Sequence, residues 1–174
     1  MFDHEPTASD VLTDAALGAI AGAAATAAMT PLTTYLAKRQ PQSAKRQEKA
    51  VSEQLGAPPT VKVAQKAAAA VGTSIAPAKR SVAGQIVHYG FGTFWGAALG
   101  ALASRWKPLP PGTGVALGIL LWMSMDEGAL PALGLSGKAS EYPRETHMRG
   151  LAGHLLYGAV LDRGLAVLRA TLRR

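Results

Sequence analysis

Charged residues vanish from long stretches of this chain. Residues 15–37 run for 23 positions and residues 81–104 for 24 without an Asp, Glu, Lys or Arg. At about 1.5 Å of rise per residue, about 20 helical residues cross the roughly 30 Å core of a bilayer. A third uncharged run, 108–125, stops at Asp126 and Glu127 and resumes over 128–137; a fourth, 150–161, reaches helix length only by passing Asp162 and Arg163 to Leu168. The first two runs lack the polar stripe every 3.6 residues that a soluble bundle carries. The pattern predicts an all-α fold, an integral membrane bundle of about four glycine/alanine-rich transmembrane helices. The third is expected to break near Pro131, whose ring nitrogen cannot donate to the carbonyl of residue 127.

This pattern divides the chain. Residues 1–10 are an acidic tail with Asp3, Glu5 and Asp10, in which Ser9 or Asp10 can cap the first helix. The first transmembrane helix covers 11–36, with Pro31 as a kink candidate. A basic loop follows at 37–80, with short helices at 42–55 and 60–71 on either side of Pro58 and Pro59. The second transmembrane helix is 81–104, the broken third 113–135, a polar loop 136–149, the fourth helix 150–168 and a basic tail 169–174. No Lys or Arg precedes the first helix, which argues against a cleaved signal peptide.

Glycine spacing says how such helices pack. Gly18 and Gly22, then Gly92, Gly96 and Gly100, then Gly114 and Gly118 recur every four residues, placing each set on one helix face. In lipid, small faces let backbones approach and supply the dispersion contacts that hold helices together. The expected use is packing within the bundle; a homo-oligomer seam is the alternative.

Composition changes the picture through its distribution. Charged residues make up 17% of the 174, against about 25% in soluble domains. Residues 38–80 hold nine Lys or Arg against two acids, a net +7 that equals the charge of the whole chain. Lys38, Arg39, Lys62, Lys66, Lys79 and Arg80 are the candidates for anionic lipid headgroups, with Val61, Ala64, Ala68 and Val71 lying on the membrane surface. No aromatic side chain in this loop can stack on a base, so nucleic acid is not an expected partner. The side of the bundle bearing this loop and the 136–149 loop carries 12 Lys or Arg against 6 on the other, which places the long loop in the cytoplasm. Arg169, Arg173 and Arg174 then fall outside if there are four crossings, a conflict that a fourth helix entering without crossing would remove. The absence of cysteine excludes disulfides and thiolate sites.

Ionisable residues inside spans are the functional candidates. Measured from the loop side, His88 lies roughly 10 Å deep, Asp126 and Glu127 roughly 12 Å and His154 roughly 6 Å. Thr26, Thr30, Thr33 and Thr34 share that half, so one polar pocket can draw on all four helices. Asp126 and Glu127 point about 100° apart on a helix, and His88 or His154 is the expected partner of whichever faces the pocket. On the fourth helix His147 and His154 share a face that Gly158 and Asp162 continue. The intramembrane cluster is therefore His88, Asp126, Glu127, His154 and Asp162. Such pairs either lock helices together or line a proton or cation path, and a small ligand or lipid headgroup is a third option. A haem on His88 and His154, or a metal on His147, His154, Asp126 and Glu127, lacks the usual ligand spacing, so no cofactor or metal is expected. With no nucleophile elbow, phosphate loop or dinucleotide fingerprint, an enzyme is not expected.

Three pieces carry a resemblance: HYGFGTFWG beginning at His88, LPALGL beginning at Leu130, and Pro143 followed by GHLLYG beginning at Gly153. Together, over roughly 84–165 and more loosely around 18–30, they resemble the YagU-like bacterial inner-membrane proteins. The resemblance implies a multi-pass protein of the bacterial inner membrane, from a family without an established activity. Asp126, where the family pattern suggests His or an apolar residue, and the strongly basic first loop are departures. The expected role is structural or accessory, alone, as a homo-oligomer or in a larger membrane complex; the alternative is a small proton or cation transporter or channel.

Overall fold

Thr7 starts the first helix. Its hydroxyl accepts from Asp10 N at 3.2 Å while the Asp10 carboxylate accepts from Thr7 N at 3.0 Å, so two of the helix's free donors are satisfied reciprocally. The cap is thus Thr7, ahead of Ser9 and Asp10. The computed structural model describes residues 6–105, 110 and 112–172, which contain no strand. The acids Asp3 and Glu5, most of the proline-rich turn after Arg105, and Arg173 and Arg174 lie outside the described residues.

Helix α1 spans Ala8–Arg39 and continues through Pro31. In the basic stretch, α2 (Gln42–Leu55) ends on Gly56, whose φ of +74° makes the left-handed turn that a glycine adopts without strain, and α3 covers Pro59–Ala70. A short 3₁₀ turn (Pro77–Lys79) leads into α4 (Arg80–Arg105). Then come α5 (Thr113–Leu121), a π-helical stretch (Trp122–Ala129), α6 (Leu130–Ala132), a 3₁₀ turn (Ala139–Glu141) and α7 (Arg144–Leu172).

Two antiparallel pairs make the bundle, α1 with α4 and α5 with α7, joined by the packing of α7 on α1. Glycine sets the distance within each pair. A methyl added at Gly22 would lie 3.0 Å from Gly96 Cα, and one at Gly18 would lie 2.9 Å from Gly100 Cα, with the facing carbonyls of Gly92 and Gly96 nearer still. Gly114 and Gly118 meet Gly158 O and His154 O in the same way. The Gly92, Gly96 and Gly100 face is therefore filled by α1 of the same chain and leaves no room there for a second copy. The core of Leu17, Ala21, Ala25, Met29, Leu99, Ala103, Leu121, Tyr157, Leu161 and Leu165 fills the remaining space.

Large apolar side chains point the other way. Ile20 of α1, Val82, Ile86, Phe94 and Leu102 of α4, Leu120 of α5, and Leu155 and Val167 of α7 are all exposed. A bundle whose helix seams are glycine and whose outer face carries large apolar side chains suits a hydrocarbon solvent. Among the described residues three helical stretches are long and apolar enough to cross a membrane: Ala8–Arg39, Thr113–Ala132 and Arg144–Leu172. Helix α4, though 26 residues long, is not among them, because five glycines, His88, Tyr89 and Thr93 dilute its apolar content.

Three expectations need correction. The third helix does not break at Pro131: the chain stays helical from Thr113 to Ala132, and Leu133 N still donates to Ala129 O at 3.0 Å. The irregularity falls before the proline, in the widened π turns, and the helix ends at Gly134, whose φ is +64°. The fourth helix begins six residues before position 150, taking His147 and Arg149 out of the polar loop, because Pro143 can precede a helix and Glu145 suits its first turn. The third correction concerns α3. Val61 and Ala64 are buried, with Val61 Cγ2 against Gly84 of α4, and Lys62 and Lys66 donate to Gly134 O (2.7 Å) and Leu133 O (3.2 Å). These two lysines cap the orphan carbonyls at the end of α6. Lys38, Arg39, Lys79 and Arg80 are exposed, the Arg39 guanidinium 4.9 Å from the Tyr35 ring centroid.

Candidate functional site

A cavity of about 790 Å³ lies at the end of the bundle where α2 and α3 sit. It is walled by α1, α2, α4, α7, the start of α3 and the stretch from Leu121 to Gly137. His88, Asp126, Glu127 and His154, expected in one half of the bilayer, all line it. Asp162 does not. Eight residues and about 12 Å further along α7, its carboxylate accepts from Gly114 N at 2.7 Å and caps the start of α5. The sequence offered Asp162 a place on the His147 and His154 face, but Gly112 leaves α5 without a side-chain cap of its own, and Asp162 supplies it from α7.

The two adjacent acids diverge as helical geometry requires. Glu127 Oε1 lies 2.6 Å from His147 Nδ1, and His147 Nε2 lies 3.0 Å from the carbonyl of Ala139. Both ring nitrogens face acceptors, an arrangement that a doubly protonated imidazole beside a carboxylate satisfies fully. Asp126 Oδ2 lies 3.8 Å from His154 Nδ1, but that nitrogen donates to Gly150 O at 2.9 Å, one turn back on its own helix. A neutral ring protonated on Nδ1 satisfies that bond. Asp126 keeps 38% of its side chain exposed, against 23% for Glu127. His88 lines the cavity and packs edge-on against Tyr89.

Residues beyond the expected cluster shape the mouth and the floor. Arg149 donates to Glu48 through both terminal nitrogens, one bond at 3.1 Å, and reaches Gln40 Oε1 at 2.9 Å; Thr146 Oγ1 donates to Glu48 at 3.2 Å. This network ties α2 to α7. At the floor, Tyr157 donates to Gly92 O at 2.7 Å and Thr26 donates to Gly22 O at 2.9 Å. The core closes the bundle beyond them, with Ala25, Ala103 and Leu161 wholly buried. Near the opposite end Asp14, with no exposed surface, is gripped by Arg169 through Nη2 (2.8 Å) and Nε (3.1 Å). A usable signal for Asp14 existed: it precedes Gly18, Gly22 and Thr26 at the same spacing of four. No local signal distinguished Glu48 from the other charges of the basic loop.

Among the described residues no group of three His, Asp or Glu side chains is gathered to hold a metal ion. The cavity offers carboxylates and imidazoles in cross-helix pairs, within walls that are mostly apolar.

Fold and site together define a class: among the described residues, an all-helical bundle with three helices long and apolar enough to cross a membrane and an acid and histidine cavity at one end. The chain belongs to the family described as protein of unknown function DUF1440, whose sequence model matches residues 24–163. That match takes in nearly all of the 84–165 stretch and every member of the cavity's two acid and histidine pairs. No curated protein and no solved structure matches the chain.

Proposed function

We propose that the protein is a multi-pass component of the bacterial inner membrane with a structural, non-enzymatic role. In this reading its internal charges hold helices together. One observation carries it: three acids on the bundle's helices are held from another helix, Glu127 by His147, Asp14 by Arg169 and Asp162 by the first turn of α5. Charges committed in this way stabilise one arrangement of helices. Helix α4 is taken as a fourth crossing. Its uncharged 24 residues, its antiparallel seam with α1 and its outward Val82, Ile86, Phe94 and Leu102 support that assignment. With four crossings both termini lie outside and the basic loop lies in the cytoplasm, as its positive charge favours.

Reporters fused in turn at each terminus and within residues 42–70 test this arrangement. Both termini on one face and the loop on the other is the expected result. Termini on opposite faces would remove the four-crossing reading.

A second reading, a proton or cation transporter, has its own support: the π-helical turns fall on Asp126 and Glu127, and such turns are frequent at functional sites. The closed floor beneath Tyr157 weighs against an open path. Proteoliposomes under a proton or potassium gradient decide between the two. Flux that Asp126→Asn abolishes would favour transport; a tight wild-type bilayer favours the structural role.

A further inference from the structure

Of the acids lining the cavity, Asp126 alone is not held by a short bond. Arg149 is neutralised by Glu48, and Glu127 faces His147 at 2.6 Å. Among the described residues Asp126 has a single ion-pair partner, His154 at 3.8 Å, whose facing nitrogen is engaged with Gly150 O, and the buried indole N–H of Trp122 beside it makes no hydrogen bond. The Asp126 side chain keeps more than one-third of its surface exposed and lines a space bordered by Phe91, Trp122, Leu130 and Leu133. A carboxylate uses its full hydrogen-bonding capacity only when donors approach it. Here the protein leaves that capacity open inside an apolar enclosure.

We propose that this cavity binds a lipophilic organic monocation, an onium or protonated amine with an apolar body, anchored by Asp126. The volume is that of a site for a drug-sized molecule. Apolar walls suit the ligand's body, and Trp122 and Phe91 supply the aromatic surface that organic cations favour. Other ligand classes fit less well. An anion would meet Asp126, while the guanidinium of Arg149 in the cavity wall is already taken by Glu48. A calcium-like ion needs six or more oxygens, and no cluster of that kind is present among the described residues. The layer of Thr26, Gly92 and Tyr157 ends the cavity, so the ligand enters and leaves by the same end. The inference goes beyond the structural role and stands whether or not the protein transports anything.

The test compares two ions of matched shape and opposite charge, tetraphenylphosphonium and tetraphenylborate. Each is dialysed to equilibrium against the full chain in phosphatidylcholine nanodiscs, with empty discs subtracted to remove partition into lipid. Saturable binding of the cation near one per chain is expected, at least about tenfold tighter than the anion. Asp126→Asn should weaken the cation about 10- to 100-fold, the loss of one charged contact, without strengthening the anion to match. Asp126→Glu should restore most of the affinity. Melting curves establish that each variant is folded, and the wild-type preference for cation over anion needs no variant. Equal binding of the two ions, no saturable binding above empty discs, or a folded Asp126→Asn variant that binds as wild type would each overturn the proposal. Because the readout is binding alone, failure here leaves the topology and flux results standing, and the converse holds.

Discussion

Replacing Gly96 by alanine adds one methyl group in the middle of the α1 and α4 seam. The new Cβ would lie 2.7 Å from Gly22 Cα and 3.0 Å from Gly22 N, and closer again to the carbonyl oxygen of Gly18. All three are main-chain atoms, so no side-chain rotation relieves the overlap. Carbon atoms in comfortable contact stand about 3.5–4.0 Å apart, and the helices must therefore separate by about 1 Å. A gap of that size forfeits a quarter to a half of each dispersion contact along the seam, and overpacking of this kind costs about 1–3 kcal/mol. Gly90, on the same helix, has nothing within 4 Å of its would-be Cβ. There alanine is expected to be neutral or to add up to about 1 kcal/mol through backbone propensity. Titration of detergent-solubilised protein with dodecyl sulfate, followed by circular dichroism, measures both. Gly96→Ala should unfold at distinctly lower denaturant and Gly90→Ala at the same or higher. Equal shifts, or a stabilised Gly96→Ala, would refute the close-contact argument.

Other expectations can be checked in the same assay. Glu127→Gln and His147→Gln should each lower stability by about 0.6–2 kcal/mol, and the double variant by little more than either alone; full additivity would mean that the 2.6 Å pair contributes nothing as a pair. A double-mutant cycle on Glu48→Ala and Arg149→Ala should return a coupling of about 0.5–3 kcal/mol, with faster amide hydrogen exchange over residues 42–55 in both single variants. Exchange there unchanged would show that this network does not anchor α2. Asp162→Ala should cost about 0.5–2 kcal/mol through loss of the α5 cap and leave binding of tetraphenylphosphonium untouched. A binding defect in a folded Asp162→Ala protein would instead put that residue back in the cavity.

Helices α1 and α4 were legible because absence of charge over more than 20 residues is a one-dimensional property, visible without knowing any neighbour. The four-residue glycine spacing was legible for the same reason, since residues four apart share a face on any helix. His88, Asp126, Glu127 and His154 do line one cavity, whereas Asp162, read as part of the same cluster, does not. The expectations that failed concern partners and the course of the backbone around prolines. Lys62 and Lys66 had the spacing of a lipid-facing pair, yet the nearest acceptors are the carbonyls of Leu133 and Gly134, about 70 residues away in the chain. Pro131 implied a break, but a π turn on the preceding residues carries the helix past it.

By itself, then, the sequence determined which segments are helical and apolar and which faces are small, because those quantities depend on composition and helical period alone. Which group meets which was decided by the tertiary structure. Glu127 goes to His147, Asp126 is left facing the cavity, Asp162 serves α5, and Glu48 joins Arg149 across about 100 residues. The physical reason is that hydrogen bonds and ion pairs act over about 3–4 Å, a distance set by how the glycine seams bring helices together and not by any spacing along the chain.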